Sequence, residues 1–219
     1  MRFKCLIFDH DDTVVASTKE IHYPAFLEAL RIMRPEEAAD PLSCDEYFRV
    51  NFDPGFVEFC RDRYAMTGEE FKKEEEIWKN YVSTRIPTAY PGMKELMERQ
   101  KKEGGIVAVV SHSFDFNIKR DFKANGLPDP DMVFGWELPP DKRKPSDYAL
   151  KVIAEKYDLK PSDFVVIDDL KPGYDMARNF GAFFIGAGWC NDVPEIRDFM
   201  KKNSDKYITS VEELAEFLK

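Results

Sequence analysis

The sequence predicts an α/β protein, a doubly wound parallel sheet with an all-helical domain inserted early in the chain. Three observations lead there. Short apolar runs rich in β-branched and aromatic residues alternate with segments of helical period. Three of those runs, Phe3 to Phe8, Ile106 to Val110 and Phe164 to Ile167, stop at polar or acidic residues. Between the first and second runs, the stretch to about Ile86 has helix caps and breaks but no strand signal. Residues 1–15 and 88–219 are assigned to the α/β core and 16–87 to the insertion.

Phe3 to Phe8 is apolar enough to be a strand buried on both faces, and Asp9 is where it leaves the core. Ser17 to Arg34 follows as an amphipathic helix, with Ser17 or Thr18 as N-cap and Pro35 beyond its end. Ser43 and Thr67 read as further N-caps and Pro54-Gly55 as a break. Phe56, Phe59, Tyr64, Phe71, Trp78 and Tyr81 read as the insertion's own small core, with lining a substrate pocket the alternative for some of them, while Lys72 to Glu76 reads as a solvated helix face. Met93 to Lys102 is a helix closed by Gly104-Gly105, then come the strand Ile106 to Val110 and a helix from Phe114 to Ala124. Met132 to Gly135 is a short strand. A Pro-rich loop, Leu138 to Pro145, leads to a helix ending near Tyr157. The strand Phe164 to Ile167, the helix Tyr174 to Phe180 with Gly181 after it, a fifth strand Ala182 to Ile185 and a closing helix Val211 to Leu218 complete the core. Gly186 to Trp189 is read as a loop.

With 41 acidic and 32 basic residues, the net charge of -9 opposes binding to nucleic acid or an anionic membrane and suits a divalent cation. Cys5, Cys44, Cys60 and Cys190 are widely spaced, so neither a zinc knuckle nor a redox pair is expected. Reduced thiols, no signal peptide and no membrane span point to a cytoplasmic protein. Nothing in the sequence fixes its oligomeric state.

The chemistry gathers at the strand ends. Asp9 and Asp11 follow the first strand, and extended backbone would turn both carboxylates to one side. Like charges so close repel unless a cation or a shared proton lies between them. Ser111 ends the second strand, Lys144 precedes a helix, and Asp168-Asp169 end the fourth. In open parallel sheets ligands bind beyond these strand ends. Ser111-His112 lacks the Gly-x-Ser-x-Gly setting of a serine hydrolase.

Asp9-His10-Asp11-Asp12-Thr13, Val109-Val110-Ser111, Lys144-Pro145 and Val165-Val166-Ile167-Asp168-Asp169 resemble, in order, the four motifs of the haloacid dehalogenase-like superfamily. The resemblance runs from Phe3 to about Gly188. It implies a Rossmann-like core with a class I helical cap, in the phosphatase branch of phosphoglycolate phosphatase- and β-phosphoglucomutase-like proteins. By resemblance Asp9 is the nucleophile that forms an aspartyl-phosphate and Asp11 the acid and base. Ser111, His112 and Lys144 become the phosphate-binding candidates, with His112 and His10 as wall residues rather than metal ligands. Asp9, the main-chain carbonyl of Asp11, Asp169 and Asp168 become the Mg2+ candidates. The implied activity is hydrolysis of a small phosphorylated metabolite under a closing cap. A phosphomutase-type transferase and a silent phosphometabolite-binding module are the alternatives; His22 lies one residue out of register with the mutase cap groups. Two departures stand out: Asp12 occupies a position where many relatives have Gly, and Gly173 one where many have an acid or amide, for which Asp175 or a water completing the metal shell is the candidate substitute.

Overall fold

The computed structural model describes Met1–Lys219. It divides into two compact units, Met1–Ala16 with Thr88–Lys219, and Ser17–Pro87.

In the first unit, strands β1 (Cys5–Phe8) and β2 (Val15–Ala16) precede the insertion. The second unit carries α1 (Tyr23–Met33), α2 (Cys44–Phe52), α3 (Phe56–Tyr64) and α4 (Gly68–Ser83). The first unit resumes with β3 (Thr88–Ala89), α5 (Met93–Lys102), β4 (Ile106–Val110), α6 (Asp115–Ala124), β5 (Met132–Phe134) and α7 (Tyr148–Tyr157). It ends with β6 (Phe164–Asp168), α8 (Lys171–Phe180), β7 (Phe183–Ala187), α9 (Pro194–Asn203), β8 (Lys206–Ile208) and α10 (Val211–Phe217). No helix is long and apolar enough to cross a membrane.

Six strands form a parallel sheet in the order β5-β4-β1-β6-β7-β8. From β1 the chain builds outward first through β4 and β5, then on the other side through β6, β7 and β8. That reversal leaves a crevice at the C-terminal end of β1. Every residue of β1 is buried, because helices cover both faces of a parallel sheet. Leu6, Phe8, Val107, Val109, Val165 and Ile167 pack into one core layer with Met93, Met97, Ile118 and Phe122. A short antiparallel ribbon of β2 and β3 pairs Val15 with Ala89 and Ala16 with Thr88, bracketing the insertion.

The sequence reading missed α9, β8 and the β2–β3 ribbon. Strands of two or three residues are too short to show a period, and Lys206 on the edge strand is exposed. For α9 a signal existed: Pro194 is its first residue. Strand β7 also runs on through Gly186 and Ala187, where a loop was expected. A Cβ on Gly186 would lie 2.7 Å from Ser204 Oγ, so the close approach of the following segment explains a glycine inside a strand.

In the helical unit, the helix expected from Ser17 starts as a π-helical turn, Thr18–His22, before α1. Pro24 has no N–H to continue an α-helix begun at Ser17, so a new helix starts with the proline in its first turn. Ser17, the N-cap of that turn, does not make the side-chain cap bond expected of it. Ser43 and Thr67 do cap α2 and α4, each in a reciprocal pair with Glu46 or Glu70. The core of this unit is Phe26, Leu30, Leu42, Tyr47, Cys60, Tyr64 and Met66, with Phe56, Phe59 and Phe71 against it. Trp78 lies outside that core and donates from Nε1 to His22 Nδ1 at 2.9 Å. Glu74 departs from the expected solvated face: it is half-buried, and burial followed by the Glu75 charge pushes its carboxyl up to about 7.

Candidate active site

Register places the functional groups. Phe8 pairs with Val109 on one side and Ile167 on the other, so Asp9, Val110 and Asp168 lie level at the strand ends. The Asp9 N–H donates to the Ile167 carbonyl at 3.0 Å, extending the ladder by one residue. Asp9, Lys144, Asp168 and Asp169 are all buried.

Lys144 Nζ joins two of these carboxylates. It donates to Asp9 Oδ1 and to Asp168 Oδ2, each at 2.7 Å. Burial alone would lower the lysine pKa, but the charges of Asp168 and Asp9 outweigh it and hold the ammonium charged. Asp168 also accepts from the Leu170 N–H at 2.8 Å through Oδ1. Burial raises its carboxyl to about 6 against the pull of Lys144, with Asp9 adding to the rise. For Asp169, burial and then the charges of Asp168, Asp12 and Asp9 push the carboxyl well up. Too much negative charge is gathered here for one lysine.

The carboxylates of Asp9, Asp168 and Asp169 bring ligand oxygens within 4.8 Å of one another. Three buried hard oxygen donors, with Asp168 and Asp169 raised in proton affinity, are a donor set for a divalent cation, which would take the place of protons on those two. Asp169 is steered by Thr13, whose hydroxyl donates to Oδ1 at 3.1 Å, and Cys190 Sγ lies 3.6 Å from Oδ2. Burial, then the charges of Asp169 and Asp12, push that thiol well up. The indole of Trp189 donates to the Thr13 carbonyl at 3.1 Å.

Asp12 adopts φ 57°, the left-handed conformation its position demands and Asp tolerates. Asp175 pairs with Lys171 at 3.8 Å and is not among the clustered carboxylates. Gly173 has a steric reason: a Cβ there would fall 2.0 Å from Asp168 Oδ2. An acid at that position would collide with the group it was meant to assist.

Ser111 is buried and its Oγ accepts from the Ser113 N–H at 3.2 Å. The Ser113 hydroxyl donates to Asp11 Oδ2. The sequence reading gave Ser113 no role, although strand alternation puts it on the side of Ser111. The His112 ring bonds through Nε2 to the Lys144 carbonyl at 3.1 Å, bracing the lysine's loop. Burial, then the Lys144 charge, push His112 down to about 4, so its ring is neutral.

A family model, haloacid dehalogenase-like hydrolase, matches residues 3–181. The chain belongs to this family. Its match spans all four motifs. Among solved structures, a predicted phosphoglycolate phosphatase from Haemophilus somnus superposes with TM-score 0.77 at 19% identity, covering 100% of this chain and 99% of that one. A haloacid dehalogenase-like hydrolase from Streptococcus pneumoniae gives TM-score 0.77 at 16% identity, covering 100% and 99%. A mutant CbbY from Rhodobacter sphaeroides, in complex with xylulose 1,5-bisphosphate, gives 0.67 at 18%, covering 97% and 96%. At these identities the likeness is one of fold. No curated protein sequence matches significantly.

Proposed function

We propose that this hydrolase is a Mg2+-dependent phosphatase acting on a small phosphorylated metabolite. The observation that carries the reading is the bridging lysine: Lys144 keeps one Asp9 oxygen fixed beside two further buried carboxylates, while Oδ2 of Asp9 lies outside that bond. A fixed carboxylate with a free oxygen is a nucleophile. Asp9 attacks phosphorus as the bond to the leaving alkoxide breaks, and Asp11 gives that alkoxide a proton. Water then attacks the aspartyl-phosphate and loses a proton to Asp11; phosphate leaves and the Asp9 carboxylate is restored. Lys144 and the Ser111 hydroxyl meet charge on the phosphoryl oxygens. Asp9, Asp168, Asp169 and the Asp11 carbonyl would hold Mg2+, which when bound draws off phosphoryl charge. On this reading the helical unit is the cap from which specificity comes.

The test is phosphate release from a panel of esters that includes phosphoglycolate and sugar bisphosphates, with and without Mg2+, for wild type beside Asp9→Asn. The expected result is Mg2+-dependent release that Asp9→Asn abolishes. An isomer without free phosphate would identify a mutase instead, and binding without turnover a silent module.

A further inference from the structure

We infer that Asp121 is a positioning residue for this reaction, fixing through His10 the loop that carries Asp11. The inference rests on the reading of Asp11 as acid and base.

His10 stands between Asp9 and Asp11 in sequence, yet its side chain is 1% exposed and its partner Asp121, on α6, 4%. Nε2 lies 3.1 Å from Asp121 Oδ2, so a proton on Nε2 joins the two. The ring lies against Phe122, with centroids 6.0 Å apart and planes at 25°. Asp121 is itself held, its Oδ1 accepting from Arg120 Nε at 2.8 Å and Nη2 at 2.7 Å. The His10 carbonyl closes the catalytic turn by accepting from the N–H groups of Val14 and Val15, at 3.0 and 3.1 Å. One residue therefore ties the turn containing Asp11, Asp12 and Thr13 to a helix.

Burying an imidazole and a carboxylate carries a desolvation cost that two apolar side chains of similar volume would avoid. What the polar pair adds is direction, because a hydrogen bond fixes orientation as well as distance. Asp9 has no need of it. Its N–H is on the sheet ladder and its carboxylate is on Lys144. Asp11 lies beyond the sheet, with Ser113 on its carboxylate and His10 anchoring the backbone before it. Removing Asp121 should displace the proton donor and leave the nucleophile in place.

The leaving group separates the two effects. An alkoxide needs the proton from Asp11, whereas 2,4-dinitrophenolate leaves without one, and kcat/KM reports only the transfer to Asp9. For Asp121→Ala, kcat/KM should fall by about 10²-fold on an alkyl phosphate and by less than about threefold on 2,4-dinitrophenyl phosphate. Asp121→Asn keeps an acceptor for His10 and should recover most of the loss. Equal losses on both esters, with Asn no better than Ala, would mean a merely structural role and overturn the inference. Should Asp121→Ala fail to fold, Arg120→Ala loosens the same carboxylate from a side chain that is 25% exposed, and equal fold-losses on both esters relative to wild type in that variant overturn it too. Wild-type release from neither ester defeats the phosphatase reading and this inference with it. Wild-type release with no discrimination in the variants defeats the inference alone.

Discussion

At the strand ends of the core, Asp9, Lys144, Asp168 and Asp169 are buried together, whereas in the helical unit the buried positions go to Phe26, Leu30, Tyr47, Cys60 and Tyr64. Ion pairs of that unit such as Lys73–Glu76 and Lys79–Glu75 stay at the surface. Burial of charge is costly, and an apolar interior of the same volume is often the more stable choice. On the proposed reading, the core gives up stability at its strand ends in return for reactivity. In the helical unit only the half-buried Glu74 departs in that direction, and the rest of the interior is apolar packing.

The sharpest way to break that comparison is Asp9→Asn. If the strand ends carry the chemistry, turnover falls by about 10⁴-fold or more in a phosphate-release assay, because no other residue stands in for the nucleophile. Phe26→Ala is the counterpart in the helical unit, where the ring is 1% exposed and lies among Tyr47, Phe56 and Tyr64. It should cost about 3–5 kcal/mol in urea unfolding and leave Mg2+ affinity, measured by calorimetry, within about twofold.

Lys144→Met should cost a similar about 3–5 kcal/mol by leaving two carboxylates buried without their cation. Added Mg2+ should then raise the Tm of this variant more than that of wild type. An equal rise in both would mean that the carboxylates do not share one charge balance.

A smaller effect concerns acid. The folded-state pKa of His112 is about 4, against an ordinary value of 6.5, so between those values the unfolded chain binds the proton that the folded chain refuses. Stability is present above this window and lost as pH falls through it. The ring is only partly buried, so solvent screening reduces the loss to about 1–2 kcal/mol. Urea unfolding near neutral pH and near pH 4.5 should show a shallower loss for His112→Asn than for wild type. Smallest of all, Lys79→Ala should move Tm by less than about 1 °C, since its pair with Glu75 is exposed.

The strand-end residues were legible because each strand stops abruptly in a polar group, a pattern that needs no knowledge of the fold. Lys144 could be placed only by its motif, since the loop from β5 that delivers it has no period to read. His10–Asp121 was invisible for a different reason: the partners are 111 positions apart, and only the packing of α6 joins them. A trace existed all the same. Asn117, Ile118, Asp121 and Phe122 share the buried face of α6, and an acid on such a face asks for a partner. The π-helical turn before α1 was readable in hindsight from Pro24. The two-residue strands of the ribbon were not, because pairing so short is decided by the chain it closes and not by its own residues.

The thiol beside Asp169 has a use outside chemistry at phosphorus. Cys190 is buried and burial, with the neighbouring carboxylates, holds it protonated, so an alkylating reagent finds no thiolate until that segment opens. Its labelling rate therefore counts local openings at the strand ends, and the slowing of that rate by a bound ligand would measure how firmly the ligand latches them shut.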